Sequence, residues 1–86
     1  MPTISSFYGI AIRMFFGDHP PPHFHVVYAE YEARIEIETG ELLDGKLPPR
    51  AAGLVREWTA MHRDELNSNW SRAERSEPLR LIQPLP

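Results

Sequence analysis

The sequence predicts an α+β fold, in which an antiparallel meander of three to four strands packs on one long C-terminal helix. Two observations predict it. Apolar and polar residues alternate through most of residues 7–43, which is typical of strands with one buried face. Residues 50–75 contain no proline and repeat apolar residues at helical spacing. Because 86 residues suffice for one modest core, we expect a single domain over residues 1–86.

The meander is predicted to contain three full strands and one short strand. Their ranges are residues 7–17, 24–29, 31–38 and 41–43. The third strand has the clearest pattern, since Tyr, Ala and Ile at its odd positions alternate with charged residues at its even positions. Thr39-Gly40 is predicted to turn the chain into the short strand, and Asp44-Gly45 is predicted to form a further turn after it.

The second and third strands fit together in one register only, because a slip of one residue would move every side chain to the other face. A tight loop at Ala29-Glu30 allows that register, although these residues are unfavourable in a hairpin turn. The apolar pairs that it brings together on the core face are Tyr28 with Tyr31, Val26 with Ala33 and Phe24 with Ile35. The same register sets His25 opposite Arg34 and His23 opposite Glu36. Both histidines are then expected on the face away from the core, near Arg13 and Glu38.

The C-terminal helix is predicted to start around Pro49, because proline is tolerated in a first helical turn. Its apolar pattern continues to about Arg75, as one helix or as two abutting helices. A break is expected at Asn67-Ser68-Asn69, since these side chains compete for backbone hydrogen bonds. The tail at residues 79–83 is predicted to add an edge strand.

Composition excludes several classes of protein. The chain has no cysteine, so a disulfide framework and a thiolate metal site are both excluded. The formal net charge of −3 argues against a general nucleic-acid-binding surface, and RNA is therefore a disfavoured partner. No segment has the length and hydropathy of a membrane span, and no secretory leader is recognisable, so we expect a cytoplasmic protein that does not contact a membrane.

Residues 18–28 are the strongest candidate for a functional site, since they contain three of the four histidines and three of the nine prolines. His23 and His25 are two apart on a strand and so point to the same side. With His19 upstream and Glu36 across the ladder, they could bind a divalent transition metal such as Zn, Fe or Ni. The alternative is that these histidines only form hydrogen bonds with nearby carboxylates, including Asp18.

A catalytic interpretation stays open beside the metal site. Cofactor-free cleavage of RNA would use one histidine as base, another as acid and an arginine to stabilise the phosphorane. The candidate catalytic residues are His23, His25, Arg34 and Arg13. A metal-dependent hydrolase would use His19, His23 and His25 instead. The chain has no motif for a serine or cysteine nucleophile and no glycine-rich phosphate loop.

Candidate residues for binding a protein partner are Trp70, Glu32 and Glu38. Trp70 is first expected in the core, but exposure near the helix end would make it an interface anchor. The acidic side chains along the sheet are expected to favour solubility or to dock a basic partner. His62 is expected to be a core or boundary residue. A homodimer through an exposed edge strand is a further option.

Five motifs along the chain form a combination that is more specific than any one of them. They are Ile4-Ser5-x-Phe7-Tyr8-Gly9-Ile10, Asp18-His19-x-Pro21-Pro22-His23-Phe24-His25, Glu36-Ile37-Glu38-x-Gly40, Lys46-Leu47-Pro48 and Trp58-x3-His62-Arg63-x-Glu65-Leu66-x3-Trp70. Together they resemble a family of small bacterial proteins, the domain of unknown function 4160. The resemblance implies a place in a two-gene module of the toxin–antitoxin kind, beside another small protein encoded nearby. It assigns no activity, cofactor or catalytic residue.

These observations lead to three expected functions. The first is a component that binds a protein partner in a toxin–antitoxin-like pair, through the histidine-rich arm and the open sheet face. The second is a small enzyme, either a histidine-dependent ribonuclease or a metal-dependent hydrolase. The third is a metal-binding protein without turnover.

Overall fold

A computed structural model describes residues 2–86 and contains five strands followed by two helices. The elements are β1 (Thr3–Phe7), β2 (Ile10–Arg13), β3 (His23–Tyr28), β4 (Tyr31–Glu36), β5 (Leu42–Gly45), α1 (Pro49–Met61) and α2 (Arg63–Glu74). The strands form one antiparallel sheet whose spatial order follows the chain from β1 to β5. The α+β meander is therefore confirmed, with one strand more than predicted and with two helices in place of one.

The prediction of a single strand over residues 7–17 is wrong, because the β1–β2 turn lies inside it. Phe7 pairs with Ile10, and both residues between them have positive φ, at 50° for Tyr8 and 79° for Gly9. This is the two-residue hairpin geometry whose twist matches that of the strands. The turn is hidden in the sequence because Tyr8 keeps the apolar alternation, yet its side chain is 58% exposed.

The predicted register of β3 and β4 is confirmed at every pair. Phe24 lies opposite Ile35, and His25 lies opposite Arg34. The turn between them closes because Ala29 adopts a φ of 52°. This left-handed conformation costs backbone strain in a residue other than glycine.

The turn predicted at Asp44-Gly45 is also wrong, since both residues belong to β5. Gly45 pairs with Ala33 and has a φ of 87°. A Cβ atom at Gly45 would come within 2.6 Å of the Ala33 Cα atom and would overlap the Glu32 carbonyl oxygen. Glycine is therefore required here by the close approach of two backbones.

The helical region breaks at His62 and not at Asn67-Ser68-Asn69. His62 has φ −125° and ψ 25°, and its backbone N–H is shared between the carbonyls of Trp58 and Thr59. Asn69 stays helical because its side chain is used elsewhere: its amide donates to the Arg80 carbonyl at 2.8 Å and accepts from the Arg80 N–H at 2.9 Å.

Residues 79–83 do not form the predicted strand, but they pack beside β1. The Ile82 N–H donates to the Ile4 carbonyl at 2.8 Å, and Ile82 is buried. The Trp58 indole N–H donates to the Gln83 carbonyl at 2.8 Å, so the tail closes over the centre of the core. Prolines on either side limit further pairing with the sheet.

The core lies between the helices and one face of the sheet, around the fully buried Trp58. Its ring contacts Phe7 at 5.4 Å and Phe24 at 5.7 Å between centroids. At the end of the sheet where β4 stops, Arg63 Nε donates to the Ile37 carbonyl at 3.0 Å, which fixes the start of α2. Within residues 2–86, neither helix has the length and apolar character needed to cross a bilayer.

Candidate metal centre

Three side chains converge where β3 begins. His23 and His25 lie on β3, and Asp18 lies in the loop that precedes it. The Asp18 Oδ2 atom is 3.2 Å from His23 Nε2 and 3.1 Å from His25 Nε2. The possible ligand atoms of the three residues all lie within 4.8 Å of one another, and no other group of this kind is found within residues 2–86.

The backbone determines which nitrogen of His23 carries the hydrogen. His23 Nδ1 lies 2.8 Å from the Pro21 carbonyl oxygen. A carbonyl oxygen can only accept, so Nδ1 must donate, and in the neutral ring Nε2 carries a lone pair. Histidines that bind metals are typically held in this way, with one ring N–H on a backbone carbonyl and the other nitrogen on the metal.

That lone pair lies beside a carboxylate oxygen and is not directed at it. His23 is 1% exposed, and its Nε2 atom is buried without a hydrogen-bond partner among the described residues, although Asp18 Oδ2 is 3.2 Å away. The two atoms are close, but their angle does not form a hydrogen bond. Two acceptors at this distance repel each other unless a proton or a cation lies between them.

His25 occupies the open side of the cluster. Its Nε2 forms a hydrogen bond with Asp18 at 3.1 Å, and its ring packs edge-on against Phe15 at 4.2 Å between centroids. The side chains of His25 and Asp18 are 27% and 31% exposed. A cation held here would have one buried ligand and two accessible ones, with room for water or substrate on the solvent side.

The prediction that both histidines lie on an exposed face is wrong for His23. The ring of Trp70, on α2, packs against it at 5.3 Å between centroids and closes that side of the cluster. Trp70 itself is 6% exposed, so its expected place in the core is confirmed and its ring is not presented to a partner.

Other predicted site residues lie outside the cluster. His19 is exposed, and Glu36 accepts a hydrogen bond from Thr39. Glu32 and Glu38 are exposed. His62 pairs through Nδ1 with Glu65 at 2.6 Å. The sequence predicts Asp18 only as a hydrogen-bond partner of the histidines. Its position in the same stretch as the histidines is the one sequence signal of its place in the cluster.

Two arginines flank His25 on the sheet. Arg13 of β2 and Arg34 of β4 are its cross-strand neighbours, so the three side chains form a row on one face. Arg34 Nε donates to both carboxylate oxygens of Asp44, at 2.9 Å each. This hydrogen bonding raises the pKa of Arg34 and lowers the pKa of Asp44.

Arg13 differs from Arg34 in having no acidic partner among residues 2–86. Its Nε atom is buried without a hydrogen bond in this part of the chain. A groove of about 360 Å³ runs beside it, lined by Arg13, Phe15, His25 and Arg34 among others. The Asp18–His23–His25 cluster thus reaches this groove through His25, and Arg13 lines it beside His25.

Comparison with known proteins gives a family and no function. No curated protein and no solved structure matches the chain. The family described as Domain of unknown function (DUF4160) matches residues 9–71, which include Asp18, His23 and His25 as well as both arginines of the groove. The match covers most of the 86 residues and all of the candidate centre, and the chain belongs to this DUF4160 family.

Proposed function

We propose that this protein binds a divalent transition metal through Asp18, His23 and His25. The proposal rests on one observation above all: the His23 ring donates through Nδ1 to the Pro21 carbonyl, and its buried Nε2 atom lies 3.2 Å from a carboxylate oxygen without forming a hydrogen bond. A divalent cation between these atoms would satisfy both. The second histidine supplies a third ligand to the same point.

The ligand set narrows the choice of metal. Two imidazoles and one carboxylate suit Zn and Fe(II), and imidazole also binds Ni. Three protein ligands leave coordination positions for water, which is the arrangement of catalytic zinc sites. A bound metal would supply a water nucleophile for hydrolysis at neutral pH, and the exposed sides of His25 and Asp18 would admit a substrate.

The test is elemental analysis of the purified, untagged protein after incubation with Zn²⁺, Fe²⁺ or Ni²⁺ and removal of free metal. We expect one metal ion per chain in the wild type and none in Asp18→Asn or His25→Ala. His19→Ala and Glu36→Gln are matched controls, since they remove a histidine and a carboxylate outside the cluster. His25 is preferred to the buried His23, because its loss leaves the core intact.

Two results would overturn the proposal. One is a wild-type protein that holds no metal and whose melting temperature does not change with added metal. The other is metal that persists in Asp18→Asn and His25→Ala while disappearing from a control variant. Circular dichroism of each variant establishes that metal loss is not a consequence of unfolding.

Cofactor-free ribonuclease activity is less well supported by this geometry. Both Nε2 atoms lie within 3.2 Å of one carboxylate oxygen, whereas acid–base cleavage needs the two histidines on either side of a phosphate.

The role of binding a protein partner stays a prediction, and so does the cytoplasmic location. One feature favours a partner: β5 is an edge strand in which all four residues are exposed, including Leu42 at 45% and Leu43 at 38%. Exposed edges of this kind accept an added strand from another chain, either a neighbouring gene product or a second copy. Co-purification with the protein encoded beside it, lost in Leu42→Lys, is the corresponding test.

A further inference from the structure

We infer that the groove beside the metal centre binds a small phosphorylated molecule, with Arg13 holding the phosphate group against the metal. This inference rests on the proposed metal site. Its starting point is Arg13, the cross-strand neighbour of His25, which has no acidic partner within residues 2–86 and keeps its Nε–H buried without an acceptor.

A guanidinium whose buried Nε–H lacks an acceptor and which lines a groove is suited to bind an anion there. Buried donors are normally satisfied, and an orphaned Nε–H indicates a missing acceptor. The guanidinium fork matches phosphate and carboxylate oxygens in two parallel hydrogen bonds. Arg34 cannot take this role in the same way, because Asp44 already occupies its Nε–H.

The charges of the groove make anion binding depend on the metal. Arg13 and Arg34 in the lining are balanced by Asp44 and Glu32, and Asp18, which pairs with His25 beside the groove, brings the formal charge to −1. A divalent cation on Asp18 changes the sign to +1. The groove therefore repels anions when metal-free and attracts them when loaded, and a dianionic phosphate monoester gains more than a singly charged carboxylate.

The size and surroundings of the groove favour a small ligand over RNA. Its volume of about 360 Å³ lies at the lower end of small-molecule sites. Glu32, Glu36 and Glu38 lie along the neighbouring strand and its end, where a nucleic-acid backbone would need basic residues. One phosphate can be neutralised by the metal and Arg13, whereas a run of phosphates cannot.

The test is calorimetric titration of inorganic phosphate into zinc-loaded and metal-free protein. We expect binding to the loaded wild type, no measurable binding to the metal-free protein, and binding about 10- to 100-fold weaker in loaded Arg13→Gln. Arg50→Gln removes the same charge from the exposed start of α1 and should bind phosphate like the wild type. Zinc content is measured in every sample.

The zinc measurement separates the two proposals. A protein that takes up no zinc contradicts the metal site itself. A zinc-loaded protein that ignores phosphate, or binds it equally well in Arg13→Gln, overturns the inference and leaves the metal site standing. If acetate binds as tightly as phosphate, the assignment to phosphate is wrong and the ligand class is carboxylate. If an RNA oligonucleotide displaces phosphate at 150 mM salt, the assignment to a small ligand is wrong.

Discussion

Replacing Asp18 by asparagine should change the stability of the protein in opposite directions with and without metal. The substitution keeps the shape of the side chain but exchanges one carboxylate oxygen for an amide that donates two hydrogen bonds. In the metal-free protein, Oδ2 lies 3.2 Å from the acceptor Nε2 of His23. An amide nitrogen near this position is within donor distance of both histidines, and a small rotation of the side chain would bring it onto the His23 lone pair.

The magnitude follows from the number of hydrogen bonds gained. One new hydrogen bond to a buried acceptor contributes about 1 kcal/mol, which in a domain of this size raises the melting temperature by about 4–8 °C. With zinc at about 100 times its dissociation constant, the wild type gains about 2.7 kcal/mol that the variant does not. The wild type should therefore melt below Asp18→Asn in a chelator and above it in zinc.

Calorimetric melts in chelator and in zinc, on the wild type and Asp18→Asn, measure this reversal. Glu36→Gln is the control, because it makes the same change at a carboxylate outside the cluster and should respond to zinc like the wild type. If His23 were instead an imidazolium paired with Asp18, Asp18→Asn would melt below the wild type in chelator, and zinc would stabilise neither protein. That result would refute the reasoning from the lone pair.

Two further predictions concern the sheet around the site. Gly17→Ala should destabilise the protein by about 1–2 kcal/mol, and Gly45→Ala should destabilise it by more. Both glycines have positive φ, but only at Gly45 would the added Cβ atom lie against another backbone. Equal chemical denaturation midpoints for the two variants would contradict this. Asp44→Asn should lower stability at neutral pH. The pKa of Asp44 is lowered in the folded protein, so the ionised carboxylate stabilises the fold above pH 3.8 and this stabilisation is lost as the pH falls through the folded pKa. In denaturation curves, the stabilities of the wild type and Asp44→Asn should therefore converge at low pH.

The parts of the fold that follow from side-chain alternation could be predicted from the sequence. The register of β3 on β4 is one such part, since a slip of one residue would have exposed Phe24 and buried the charges beside it. The Tyr8-Gly9 turn could not be located by the same reasoning, because the apolar alternation passes through it unbroken. Turn position there depends on two positive φ angles and not on the hydrophobic pattern.

Only the part of the candidate site that depends on strand alternation could be predicted from the sequence. The pairing of His23 and His25 on one strand follows from their spacing of two. The third ligand does not follow from any period, because Asp18 reaches the cluster through the conformation of an irregular loop. The burial of His23 is a tertiary effect of Trp70, which lies 47 positions further along the chain and gives no local signal.

The helix break at His62 connects the fold to the site. His23 and Phe24 are consecutive on β3, so their side chains point to opposite sides of the sheet. Trp58 of α1 packs on Phe24, and Trp70 of α2 packs on His23. α2 begins after the break at His62, where Arg63 donates to the Ile37 carbonyl, and its Trp70 covers His23 while His25 stays open to the groove. Two histidines that are equivalent in sequence thereby have different surroundings, and in the proposed metal site they would be different ligands, one fixed in the protein interior and one beside the groove.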